Sequence, residues 1–191
     1  YLSEGITTVG SDAFTELSCL RDVSLPSTLT EIYYGAFSWC EQLEEITIPN
    51  GVTEIGGEVF SRCSSLQEIT IPYGVTKIGF NAFSYCYNLE EVTLPDSLTE
   101  IGDGVFSECF LLKELTIPAS VTRIGSLAFA GDYLVFLGDA PTLIENSSYD
   151  HLISTNYLLA GGEVTVVYYG EGFGPYIAAY MYLPGTLWVE G

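Results

Sequence analysis

The chain has 191 residues, with 25 Asp and Glu against 5 Lys and Arg, a formal net charge of -20, and 48% hydrophobic residues that include 14 Tyr. That apolar content with only 16% charged residues excludes a disordered chain, and the carboxylate excess excludes nucleic acid and anionic bilayers as partners, because both are bound by Lys and Arg. No apolar run approaches the roughly 18 residues of a spanning helix, so membrane insertion is not expected; Tyr1 opens without a basic and apolar leader, which reads as a mature fragment.

Leu2 occupies the place that Leu25 and Ile48 hold in later units, so the chain begins at the end of a strand, inside a repeat. An exposed first repeat follows from this, with an open edge through which a second copy of the chain could self-associate. From there the sequence is periodic. Pro26, Pro49, Pro72, Pro95, Pro118 and Pro141 stand 23 residues apart, as do Phe14, Phe37, Phe60, Phe83, Phe106 and Phe129. Leu20 to Leu112, Ile32 to Ile124 and Gly56 to Gly125 keep the same step. The unit reads I-P-x-x-V-T-x-I-G-x-x-A-F-x-x-C-x-x-L-x-x-I-T.

A segment this short cannot bury its own apolar side, so successive units must stack. Leu66-Gln-Glu-Ile69-Thr-Ile71 predicts a strand with Ile69 and Ile71 inward and Glu68 and Thr70 outward. Val75-Thr-Lys-Ile78-Gly79 predicts a second alternating piece closed by a glycine turn, and residues 81–86 predict one helical turn. At ~4.8 Å per parallel strand, about six units build a slab roughly 29 Å long.

Ile71-Pro72-Tyr73-Gly74-Val75-Thr76-Lys77-Ile78-Gly79-Phe80-Asn81-Ala82-Phe83-Ser84-Tyr85-Cys86-Tyr87-Asn88-Leu89 and its copies, over roughly residues 2 to 130, resemble the BspA-like (Treponema pallidum type) leucine-rich repeats of bacterial surface proteins. In the first units, Tyr33 stands where Gly79 does, Leu17 replaces the Cys, and Cys19 is two places out of register. The resemblance implies an α/β solenoid: a right-handed leucine-rich repeat coil of 23-residue units, with parallel β-strands on the concave face and a C-terminal cap. Residues 1–130 form the array of about six units, the first truncated. Residues 131–191 form a degenerate last repeat and a Tyr-rich cap. Ile144 to Tyr149 copies the spacing of Ile124 to Phe129 only 20 residues on, as a shortened repeat would. The resemblance also implies a secreted or cell-surface module of a host-associated bacterium that works in adhesion or protein binding, without catalytic residues or cofactors. Its partner would be an extracellular protein or host matrix component.

On such a fold the outward strand positions form rows. Asp22, Glu45, Glu68, Glu91 and Glu114 stack as five carboxylates beside Ser24, Thr47, Thr70, Thr93 and Thr116. Like charges about 5 Å apart repel by up to roughly 1 kcal/mol per pair in water, which a basic partner would relieve. The same row also keeps a solenoid soluble and discourages lateral association. A dedicated calcium site is not expected, because no D-x-D-x-D or G-G-x-G-x-D run is present.

Thr7, Thr30, Thr53, Thr76, Thr99 and Thr122 form a second row, read as strand formers that hydrogen-bond their neighbours rather than as an ice- or glycan-binding array. Cys40, Cys63, Cys86 and Cys109 form a third, read as buried thiols, since stacked cysteines lie farther apart than a disulfide allows and C-x-x-C pairs are absent.

The tail after residue 130 holds eight of the fourteen Tyr and no Lys or Arg. Its first role is to cover the last coil. Tyr168, Tyr169, Tyr176, Tyr180 and Trp188 are a secondary candidate for stacking on sugar rings. His151 is the single histidine and no nucleophile motif accompanies it, so catalysis is not expected. The functional alternatives are therefore a binder acting through the acidic strand row, a passive spacer in a larger surface protein, and a glycan binder acting through the aromatic tail.

Overall fold

The computed structural model describes residues 2–129 and, beyond them, the strand backbones at 133–136, 143–145, 156–159 and 168–169. Each coil contributes two short parallel strands. In chain order they are β1 (Thr8–Val9), β2 (Asp22–Val23), β3 (Glu31–Ile32), β4 (Glu45–Ile46), β5 (Glu54–Ile55), β6 (Glu68–Thr70), β7 (Lys77–Ile78), β8 (Glu91–Thr93), β9 (Glu100–Ile101), β10 (Glu114–Ile117), β11 (Arg123–Ile124), β12 (Tyr133–Phe136), β13 (Leu143–Glu145), β14 (Asn156–Leu159) and β15 (Tyr168–Tyr169).

The odd-numbered strands join into one eight-stranded sheet, whereas the even-numbered ones form three groups, β2–β4, β6–β8 and β10–β12–β14. The longer ladder thus belongs to the V-T-x-I-G strand rather than to L-x-x-I-x-I. Glycine explains the difference. A Cβ on Gly79 would lie 2.6 Å from the Gly57 nitrogen, and one on Gly102 2.9 Å from the Ile78 oxygen. From Gly56 onward glycine lets successive backbones approach this closely at the corner; Tyr33 holds the position in the coil before.

The phenylalanines superpose by a nearly constant step. Phe37, Phe60, Phe83 and Phe106 are all fully buried. Consecutive ring centroids lie 5.6, 5.2 and 5.5 Å apart, with interplanar angles of 6°, 17° and 13°. Burying such a ring is worth about 1.5–3 kcal/mol, and stacking adds roughly 0.5–1.5 kcal/mol. Leu43, Leu66, Leu89 and Leu112 line the next row inward. The four periodic thiols are buried too, and each donates to the carbonyl of the phenylalanine one coil back: Cys40 to Phe14, Cys63 to Phe37, Cys86 to Phe60 and Cys109 to Phe83, at 3.1–3.3 Å. Burial pushes the Cys40 thiol up to about 11 and raises those of Cys63 and Cys86 further.

Residues 81–86 do not form the expected helical turn, and no helix occurs among the described residues. Two backbone features prevent it. Each full coil places two residues in the left-handed region, such as Glu58 and Arg62, or Asn81 and Tyr85. Alternate amides of the segment then point along the stack, while those between them, such as Ser61 to Glu58 and Ser84 to Asn81, close tight turns back along the chain. Asn81, Phe83 and Tyr85 donate to Asp103, Val105 and Ser107 of the next coil at 2.7–2.9 Å, and Glu58, Phe60 and Arg62 do the same to Phe80, Ala82 and Ser84. The result is a third ladder, built from turns. It costs about 1–2 kcal/mol of backbone strain at each non-glycine left-handed residue, and the inter-coil bonds offset that cost.

The first coil is covered least: Leu2, Ile6, Phe14 and Leu20 are half-buried, and Leu17 and Cys19 are exposed. Parallel pairing runs on past residue 130. Ile124 pairs with Ile144, the 20-residue step read from the sequence, and Leu115 pairs with Leu134. Apart from the backbones of β12 to β15, the capping role assigned to 131–191 lies outside the described residues.

Candidate binding surface

Strand alternation aims Asp22, Glu45, Glu68, Glu91 and Glu114 at solvent, and all five are exposed. Four of them pair in strand register, Asp22 opposite Glu45 and Glu68 opposite Glu91, while Glu114 stands opposite Tyr133. Thr70 stands opposite Thr93 in the parallel row, with Ser24 and Thr47 exposed and Thr116 half-buried. Among the described residues none of these five carboxylates joins an ion pair. The flanking row supplies one pair, Arg21 to Glu44 at 3.2 Å, with both side chains more than half exposed.

Two open depressions indent this face. One, of about 710 Å³, is bordered by Asp22, Ser24, Glu45 and Thr47. The other, of about 600 Å³, is bordered by Glu91, Thr93, Glu114 and Thr116, with Lys113 beside them. Shallow, wet, acid-rimmed hollows of this kind suit the side chains of a protein partner better than an enclosed small molecule.

The other sheet carries an outward row of different character. Thr8 lies opposite Glu31, Glu54 opposite Lys77, Lys77 opposite Glu100, and Arg123 opposite Glu100. Glu100 accepts from Arg123 at 2.8 Å and faces Lys77 at 3.7 Å, and Arg123 also reaches Asp103 at 3.7 Å. Glu31 accepts from Thr8 and from the Tyr33 hydroxyl, and that hydrogen bond, with the Glu31 charge behind it, raises the Tyr33 phenol above its usual value. The threonine row beside this sheet is internally satisfied: Thr30, Thr76, Thr99 and Thr122 each donate to the backbone carbonyl of the threonine one coil back.

The sequence reading passed over one set of residues. Trp39, Arg62 and Tyr85 share one left-handed position of successive coils, and the Arg62 guanidinium lies 4.2 Å from the Trp39 ring centroid and 4.1 Å from that of Tyr85. Neighbouring coils never carry the same residue type there, so a search for recurring letters does not see the column. The signal was the spacing alone. Tyr168 and Tyr169 form β15, but their side chains, together with Tyr176, Tyr180 and Trp188, lie outside the described residues. Among the described residues no group of three His, Cys, Asp or Glu is placed to hold a metal ion.

Comparison with known proteins bears on the stack as a whole. A leucine-rich repeat protein from Bacteroides ovatus is 26% identical and matches 88% of this chain with a TM-score of 0.52; the match spans 56% of that protein, so this chain corresponds to little more than half its length. The T. pallidum leucine-rich repeat protein is 28% identical, with a TM-score of 0.54, over 68% of this chain and 67% of its own. The pneumococcal vaccine antigen PcpA, 18% identical with a TM-score of 0.55 over 82% of this chain and 55% of its own, shares the fold. No curated protein matches. The BspA type leucine rich repeat region matches residues 3–135 in six copies, and with the phenylalanine spine and parallel ladders already in place, the chain belongs to that family.

Proposed function

We propose that the chain is a non-catalytic adhesion or protein-binding module, displayed at a bacterial surface or secreted, and that it takes a basic region of an extracellular protein on the row Asp22, Glu45, Glu68, Glu91, Glu114. One observation carries this reading: among the described residues none of the five exposed carboxylates joins an ion pair, and four of them face each other in two like-charged strand pairs, whereas Glu100 on the other sheet is held by Lys77 and Arg123. A partner bringing lysines or arginines removes a standing repulsion as well as adding attraction, and such steering raises the association rate and falls with salt. The B. ovatus and T. pallidum proteins share the fold and family; the surface location of this chain and its partner class are our inference from the family and from the charge pattern.

The test uses a lysine-rich peptide as probe. Binding at low salt should weaken by on the order of tenfold or more in the Glu68→Lys/Glu91→Lys double variant. It should remain in a Glu41→Lys/Glu108→Lys control of equal net charge. Equal weakening in both variants would reduce the row to bulk charge and favour a spacer that projects other domains.

A further inference from the structure

Arg62 departs from the way this chain treats its other paired cations. Arg21, Lys77 and Arg123 each sit against a carboxylate, as expected where acids outnumber bases five to one. Arg62 makes no ion pair among the described residues. In its own column the nearest acids are Glu16 and Glu108, and Trp39 and Tyr85 stand between them and the guanidinium. All five positions hold φ between 60° and 63°, a backbone that Asn or Gly would adopt with less strain and that gives Trp, Arg or Tyr no local advantage.

The stack dictates what the guanidinium can do. The Trp39 ring of the preceding coil and the Tyr85 ring of the following one each lie within 4.2 Å of its central carbon, which leaves the edge, with its fan of N–H donors, to meet a ligand. A guanidinium held between two rings is preorganised for recognition in its own plane, which a carboxylate satisfies with two parallel hydrogen bonds. Next to it the surface is apolar. Tyr87 packs edge-on against Tyr85 at 6.1 Å and stacks on Phe110 at 6.0 Å, and both Tyr87 and Phe110 are exposed. The site therefore combines one in-plane anion fork with a ledge two rings long.

We infer that Trp39, Arg62, Tyr85, Tyr87 and Phe110 form a second binding site, on the turn that precedes the acidic row in each coil, for a carboxylated sugar such as a sialate or uronate. The charge of -20 disfavours a polyanion at long range, so the anion must be isolated. The ledge selects an anion carried on a C–H-rich body, and sugar rings lie against aromatic side chains in this way. The site is independent of the row proposed above, so either can fail without the other.

Sialyllactose and lactose are the probes, titrated against the intact chain by protein-observed NMR. The expected result is saturable binding of sialyllactose at millimolar concentration and none of lactose. Arg62→Asn, whose side chain suits φ +63°, should weaken binding about tenfold or more while leaving the unfolding temperature level or higher. Arg62→Lys, which keeps the charge but neither the planar fork nor its stacking, should weaken it nearly as much. Phe110→Ser should weaken it a few-fold, and Tyr73→Ser, at an exposed ring outside the site, should leave it unchanged. Lactose binding as well as sialyllactose, acetate binding as tightly as either, a peptide with a C-terminal phenylalanine binding more tightly than the sugar, full binding by Arg62→Asn, or no saturation at all would each overturn the assignment.

Discussion

Glu68 and Glu100 are both strand carboxylates on one stack of coils, yet they live in opposite surroundings. Glu100 is held by Arg123 on one side and Lys77 on the other. Glu68 faces Glu91 in register and has no cation among the described residues. The spine beneath them is shared, and the two sheets derive from the same 23-residue unit. Repetition fixes where outward side chains stand and leaves their identity open, so the charge contrast between the rows comes from the chain's choice of residue, although only one row lies on a continuous sheet. Among the described residues the ion pairs of the first sheet gather around Glu100, while the five acids of the other row have none, and that contrast is what the proposed binding face rests on.

The comparison can be broken most severely from below, where both rows rest on the same core. Raising the pH should do this through the buried thiols. Because their folded pKa values are raised, the contribution of the neutral form is intact below the ordinary value of 9.0 and is lost as pH climbs toward about 11 for Cys40 and beyond it for Cys63 and Cys86. Each such thiol costs about 1.4 kcal/mol per pH unit in that window. Far-UV circular dichroism at stepped alkaline pH should therefore show cooperative unfolding, and Cys63→Ala should flatten its share of the slope. A curve indifferent to Cys63→Ala would contradict the thiol assignment.

Phe83→Ala removes one ring from the middle of the spine and should cost about 3–5 kcal/mol in urea denaturation, with both rows lost in a single transition. Two separated transitions would mean that the sheets do not share one core.

The rows themselves should respond with opposite sign to the same chemistry. Glu100→Lys places three cations in sequence and should destabilise by about 1 kcal/mol, discounted for the partial exposure of the pairs. Glu91→Lys supplies the missing cation between Glu68 and Glu114 and should stabilise by a few tenths of a kcal/mol. Both effects should shrink toward zero in about 1 M salt, where screening extends only roughly 3 Å. Destabilisation by both substitutions would erase the contrast from which the binding face was argued.

Much of this was legible in the residues. A period that locks Phe37, Phe60, Phe83 and Phe106 together forces a stack, and alternation in Glu68-Ile69-Thr70 settles which side faces out. The helical turn at 81–86 was misread because the decisive bonds join Phe83 to Val105 and Tyr85 to Ser107, partners a local propensity argument never consults. The preference for the V-T-x-I-G ladder was hidden for a similar reason: Gly79 was taken as a turn residue, whereas its missing side chain matters for the backbone one coil away. The Trp39, Arg62 and Tyr85 column escaped because what it repeats is a backbone angle, and its residue types differ at every step.

The thiol-to-carbonyl bonds of the spine all reach back 26 positions, and the threonine bonds along the outer sheet 23. Each donor therefore finds an equivalent acceptor only when a whole coil is gained or lost. Between residues 2 and 129 the length of the protein is in effect counted rather than tuned, in increments of ~4.8 Å per coil. A lineage can lengthen or shorten its reach by duplicating or deleting one unit without redesigning any joint, while a shortened coil, such as the one in which Ile124 pairs with Ile144, keeps its ladder only when the lost residues come out of the connections between strands.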